Sequence, residues 1–210
     1  MAGVRIEVFS DVVCPWCYIG TRRLAAAVAT VVEEGRAAPD VEMRPFQLDP
    51  SAPDAPSPVL ESYAKRFGER APELLGRVTE VGRADGLELR FDRALRANTR
   101  RAHLLIEHAL TVSGPAAQWQ VSDLLFRAYF QDGADIGDAA TLVRLAEQVG
   151  VPGAEGAIQG GDDGRLDEAL RAATERGVTA VPTFVVDGQW SIPGAQDVPT
   201  FERILRRLSA

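Results

Sequence analysis

The chain has 210 residues, 46% of them hydrophobic and 25% charged, a globular composition that excludes a disordered or fibrous protein and suits one domain or two closely packed ones. Its formal net charge is −7, and twenty-two arginines against a single lysine are scattered along it rather than clustered, so no nucleic-acid partner is expected. Cys14 and Cys17 are the whole cysteine complement, which rules out a disulfide framework as the source of stability.

The opening MAGVRIEVFSD lacks the basic start, apolar run and small-residue cleavage site of a secretory signal. No apolar stretch approaches the ~20 residues that cross a bilayer. A cytoplasmic protein without a membrane partner is expected, and there a close cysteine pair is catalytic or metal-binding more often than structural.

In chain order, Val4 to Phe9 alternates and is rich in β-branched residues, which predicts a strand running into the cysteine segment. From Pro15 to Glu34 the spacing turns helical, with Ile19, Leu24 and Val28 on one side. A second strand is predicted over residues 41–48. Four prolines in residues 50–58, PSAPDAPSP, mark a stiff boundary. Helical stretches follow over Val59–Phe67, Pro72–Ala84, Asn98–Val112, Ala116–Phe130, Asp138–Val149 and Leu166–Arg176. Residues 183–192 then read as two short strands about Asp187-Gly188, a hairpin signal, and a helix from Val198 to Leu208 closes the chain. The order β-α-β, helical block, β-β-α predicts an α/β fold in which residues 1–50 and 177–210 form one unit and residues 51–176 an inserted all-helical subdomain.

Both cysteines sit in SDVVCPWCYIG, residues 10–20. The positive end of a helix lowers a thiol's pKa, and two intervening residues let a second sulfur resolve a mixed disulfide formed on the first. Pro15 suits a first helical turn, and Trp16 would offer an apolar rim. Two other readings stay open at this point. Cysteines can simply be small buried apolar residues, or C-x-x-C can be half a zinc site. The zinc reading lacks ligands within one chain, because the only histidines, His103 and His108, are five apart and fall on different sides of a helix.

The strand into CPWC, the helical insertion and Val181-Pro182-Thr183 before a hairpin resemble the thioredoxin superfamily, specifically its DsbA-like group. The finer segments SDVVCPWCYIG, FQLDP (46–50), NTRRAH (98–103) and IPGAQ (192–196) resemble the FrnE-like branch, which is related to 2-hydroxychromene-2-carboxylate isomerases and kappa-class glutathione transferases. The resemblance implies a thioredoxin fold with an inserted helical subdomain and a thiol-disulfide oxidoreductase or isomerase. Cys14 would be the nucleophile, Cys17 the resolving thiol, Pro182 a cis-proline, and Trp16, Val181 and Pro182 the substrate-binding residues. The isomerase and transferase relatives typically carry serine where this chain has Cys14, so the cysteine pair favours disulfide exchange; a glutathione-dependent isomerase or transferase acting on a small aromatic compound is the alternative.

Asn98, Arg100 and His103 are candidate contacts for glutathione or a substrate groove; the plainer reading makes Asn98 a helix N-cap and leaves the arginines solvated. The buried carboxylate that many thioredoxin-like proteins place six residues before the first cysteine is Val8 here. Glu7 should point to the opposite face. Asp11 is therefore a candidate proton acceptor for Cys17, or a carboxylate satisfying backbone N–H groups of the turn. No metal and no resident cofactor are expected, with glutathione as the candidate reductant or co-substrate. Protein disulfides or small thiols are the expected partners, and both monomer and homodimer stay open. A couple near −180 mV facing a poise of about −240 mV rests reduced by about 2.8 kcal/mol, which favours disulfide reduction or isomerisation over net oxidation.

Overall fold

The computed structural model describes residues 4–160 and 164–208; the first three residues of the MAGVRIEVFSD segment lie outside them. A four-stranded sheet of order β2-β1-β5-β6 is built from β1 (Arg5–Ser10), β2 (Asp40–Pro45), β5 (Thr183–Val186) and β6 (Trp190–Pro193). β1 pairs parallel with β2, and antiparallel with β5 in the register Val8↔Phe184 and Phe9↔Thr183. As one of the two inner strands of the sheet, β1 is buried from Ile6 to Ser10. The β5–β6 connection places Asp187 and Gly188 at φ 48° and 68°, the positive φ pair that an Asp-Gly hairpin turn requires.

The parallel β1–β2 pair needs a crossover, which α1 (Pro15–Glu33) supplies. α1 packs on α8 (Val198–Leu208). Gly20 of α1 lies close against the β5 entry: a Cβ there would stand 3.1 Å from Pro182 Cγ and 3.2 Å from Phe184 Cζ. A bare glycine is what lets the helix reach that strand.

The residues between the sheet halves are mainly helical: α2 (Val59–Phe67), α3 (Ala71–Ala84), α4 (Arg100–Arg127), α5 (Ala139–Val149), α6 (Ala154–Gln159) and α7 (Arg165–Glu175). α4 runs along β2, and Gln118 on it, fully buried, accepts from Met43 N–H at 2.9 Å and donates to Met43 C=O at 3.0 Å. The outer edge of β2 is thereby satisfied by a side chain where a further strand would otherwise pair. Tyr18 stacks on Phe126 of α4 at 5.1 Å, so the first turn of α1 is fixed to the helical block. One hydrophobic core runs through both parts, from Val8 and Ile19 to Leu125 and Leu142.

Several predicted bounds shift. The second strand ends at Pro45, which lies opposite Ser10, the last residue of β1, so residues 46–48 are loop. The two helices expected over Asn98–Val112 and Ala116–Phe130 are the two arms of α4, whose backbone leaves helical geometry between them at Gly114 (φ 81°, ψ −179°), before Pro115. Helix α6 and the two-residue strands β3 (Ser57–Pro58) and β4 (Leu95–Arg96), paired with each other, were not expected.

Candidate active site

β1 ends at Ser10, and the turn that follows closes with Cys14 N–H on Asp11 C=O at 3.0 Å. Cys14 stays extended (φ −88°, ψ 113°) as the N-cap of α1, and its carbonyl accepts from the N–H groups of Cys17 and Tyr18. Pro15 takes the first helical position, and no acidic side chain sits in the first turn. The amino end of a 19-residue helix therefore faces Cys14 without an opposing charge on its own first turn. Val181-Pro182 is cis. The Cys14 thiol donates to the Val181 carbonyl at 3.8 Å, a long sulfur contact. Trp16 is 37% exposed, Cys14 4% and Cys17 not at all.

Both cysteines are buried free thiols, and Cys17, which is wholly enclosed, is electrostatically perturbed. Burial pushes the Cys17 pKa well above the usual thiol range, and the neighbouring Cys14 sulfur adds to the shift; the Ser10 hydroxyl and the Asp11 backbone partly offset it. Tyr63 on α2 also senses the site: burial, with a contribution from Cys14, pushes its phenol up to about 12. Among the described residues no three His, Cys, Asp or Glu side chains converge in the manner of a metal site.

Asp11 is completely buried. Its Oδ2 accepts from Leu48 N–H at 2.7 Å, and its Oδ1 lies 3.2 Å from His103 Nε2. The carboxylate does satisfy a backbone N–H, but one from the loop after β2 and not one from its own turn. His103, 2% exposed, is enclosed beside Asp11 and does not line an open groove. The N-cap of α4 is Thr99 and not Asn98 as the plainer reading had it; Asn98, one residue earlier, accepts from Arg100 N–H and donates to Ala52 C=O. Arg100 pairs with Asp167 at 2.7 Å on an exposed face.

The four quoted segments meet around the cysteine pair. Gln47 of FQLDP donates to Asn98 and Thr99 of NTRRAH, both at 3.3 Å, and Leu48 and His103 grip Asp11 from either side. IPGAQ closes over Pro182, with Gly194 N–H on Pro182 C=O at 2.8 Å, while Ala195 C=O accepts from Arg23 of α1. Ser10, Gln47 and Tyr63 were not singled out from the sequence. Ser10 had a signal, since it lies at the end of the strand that delivers the cysteines.

A βαβ…ββα sheet with a cysteine pair at the start of its first helix and a cis-proline against the first sulfur defines a thioredoxin-class fold. The DsbA-like thioredoxin domain model matches residues 5–206, and the chain belongs to that family. It is 29% identical over 210 residues to the uncharacterized protein YwbO of Bacillus subtilis, covering 96% of each chain. Among solved structures it is similar to a probable DsbA oxidoreductase, SCO1869, of Streptomyces coelicolor, with a TM-score of 0.83, 29% identity, and 98% of this chain and 89% of that one covered. The cytosolic disulfide reductase DsbM of Pseudomonas aeruginosa shares the fold, with a TM-score of 0.70, 17% identity and 97% of each chain covered. Among the described residues no helix is long and apolar enough to cross a membrane.

Proposed function

We propose that the chain is a thiol-disulfide oxidoreductase that reduces or isomerises protein disulfides, with Cys14 as the nucleophile and Cys17 as the resolving thiol. The observation that carries this reading is the asymmetry of the pair. Cys14 caps the amino end of α1 beside the Val181 carbonyl, whereas Cys17 is fully buried behind it with its pKa raised. The outer sulfur attacks a substrate disulfide, giving a mixed disulfide and one substrate thiolate. The inner sulfur then attacks Cys14, which releases the second substrate thiolate and leaves Cys14–Cys17 oxidised. A second substrate thiolate that instead attacks the substrate sulfur of the mixed disulfide forms a new substrate disulfide and releases Cys14 as a thiolate, which is isomerisation.

Trp16 supplies an apolar rim, and the Val181 backbone is the place where an extended substrate chain pairs beside the sulfur. Glutathione, a cytosolic thiol, is the reductant that restores the dithiol.

The test is Cys17→Ala. It should accumulate mixed disulfides through Cys14 that a reductant releases, while the unmodified protein reduces insulin. No trapped partner together with no insulin reduction would overturn the reading. Glutathione-dependent turnover of an aromatic substrate that survives Cys17→Ala but not Cys14→Ala would establish the isomerase or transferase alternative instead.

A further inference from the structure

The turn from β1 into α1 decides where both sulfurs sit, and backbone hydrogen bonds carry its position from Asp11 to each cysteine. Asp11 C=O accepts from Cys14 N–H at 3.0 Å, and Cys14 C=O accepts from Cys17 N–H at 3.1 Å. Of the three turn residues before the first cysteine, DVV, only Asp11 has a side chain that hydrogen-bonds. Val12 and Val13 pack on the hydrophobic core.

The Asp11 side chain is completely buried, and its carboxylate is gripped from two other parts of the chain. Leu48 N–H, in the loop after β2, donates to Oδ2 at 2.7 Å, and Nε2 of His103 on α4 lies 3.2 Å from Oδ1. A carboxylate accepts only, so Nε2 is the donor in that pair. The two grips are also tied to each other. Gln47, next to Leu48, donates to Asn98 and Thr99 at 3.3 Å, and Thr99 C=O accepts from His103 N–H at 3.0 Å. Asp11 is therefore held in a closed frame formed by the loop and the first turn of α4. Burying a carboxylate costs free energy that an apolar side chain would not. What it adds is direction, because two hydrogen bonds orient the turn in a way that valine contacts do not.

We propose that Asp11 and His103 are positioning residues for the exchange reaction: the imidazole holds the carboxylate, the carboxylate holds the turn, and the turn keeps the Cys17 sulfur aimed at Cys14. The inference rests on the dithiol reading above. Neither residue touches the substrate. Their effect falls on the second step, since the first joins Cys14 to an external sulfur that brings its own alignment, whereas the second is intramolecular and depends on how two sulfurs of one segment are aimed. A misplacement of about 1 Å in such a step costs on the order of 100-fold. A loosened frame leaves the mixed disulfide longer-lived and open to a second substrate thiolate, so the same contact sets the balance between reduction and isomerisation.

An aromatic disulfide, 5,5′-dithiobis(2-nitrobenzoate), separates the two steps on the full chain. The Cys14 thiolate bonds to one sulfur of the reagent and releases one coloured thiolate. The Cys17 thiolate then bonds to Cys14 and releases the other, leaving the Cys14–Cys17 disulfide. His103→Leu removes the donor to Asp11, and His103→Gln returns an N–H at the reach of Nε2 without the packing of the ring. His103→Leu should slow the second release at least about tenfold while the first stays within about twofold, and His103→Gln should recover most of the loss. A second release as fast as that of the unsubstituted protein, an equal slowing of both releases, or a loss that His103→Gln does not recover would overturn the positioning role. Should His103→Leu fail to fold, Asp11→Asn decides: it keeps an oxygen for Leu48 N–H but turns an amide toward His103, and should show the same selective loss, while two intact releases would overturn the role. An unsubstituted protein that gives no second release would instead overturn the dithiol reading, and the positioning role with it.

Discussion

Burial separates the two sulfurs by reactivity as well as by position. A free cysteine is only a few per cent thiolate at neutral pH, and burial holds Cys17 well below that fraction. Iodoacetamide applied to Cys14→Ala should therefore label Cys17 far more slowly than a free thiol at pH 7. Its rate should still be rising with pH beyond the ordinary thiol range, as peptide mass mapping would record. The sign is fixed by burial, the largest cause, which remains when Cys14 is gone. Labelling of Cys17 at the free-thiol rate would contradict its raised pKa. The cysteines, Trp16 and Val181-Pro182 were legible in the sequence, because contiguous spacing and a proline before a strand carry their own geometry. The Asp11–His103 contact was not, since 92 positions separate its partners and no local pattern links them.

Between elements, Glu7 ties β1 to β2 and to the end of α7. It accepts from Arg44 at 2.9 Å and from Arg176 at 2.7 Å, and Arg176 opens the segment that leads to Val181-Pro182. Burial raises the Glu7 pKa, but the hydrogen bonds from Arg176 and Arg44 and their charges outweigh it, so the net value lies below the ordinary 4.5. A carboxylate with a depressed folded pKa contributes stability that is present above its ordinary value and is lost as pH falls through the folded one. Glu7→Gln should cost about 2 kcal/mol at pH 7, the scale of hydrogen bonds to a charged group. That gap should narrow on acidification below pH 4.5 in denaturant titrations. A gap that stays constant or widens on acidification would show that Glu7 is not held ionised by the arginines. The sequence pattern revealed the four strands of the main sheet and most of the helices. It missed α6, a six-residue helix too short to show a period, but it read the break inside α4, where Gly114 leaves helical geometry just before Pro115.

Across the whole molecule, four segments far apart in sequence enclose one cysteine pair: the strand-to-helix turn, the loop after β2, the start of α4 and the close of the β5–β6 hairpin. The overall order of strands and helices was readable because each sheet strand carries its own pattern. How the helical block meets the sheet was not, because that contact depends on single side chains such as Gln118 and Tyr18. The assembly makes sense as an exchange site only if the two thiols act together. Equilibration in glutathione buffers from reducing to oxidising, with free thiols counted by alkylation after acid quench, tests this most directly. A single two-electron transition is expected, in which Cys14 and Cys17 lose their thiols together at a midpoint more oxidising than about −240 mV, so that a cytosolic glutathione pool restores the dithiol. Thiols that both survive the most oxidising buffer, a chain that stops as a glutathione adduct on Cys14 with Cys17 still free, or a midpoint too reducing for glutathione to reopen the disulfide would contradict it.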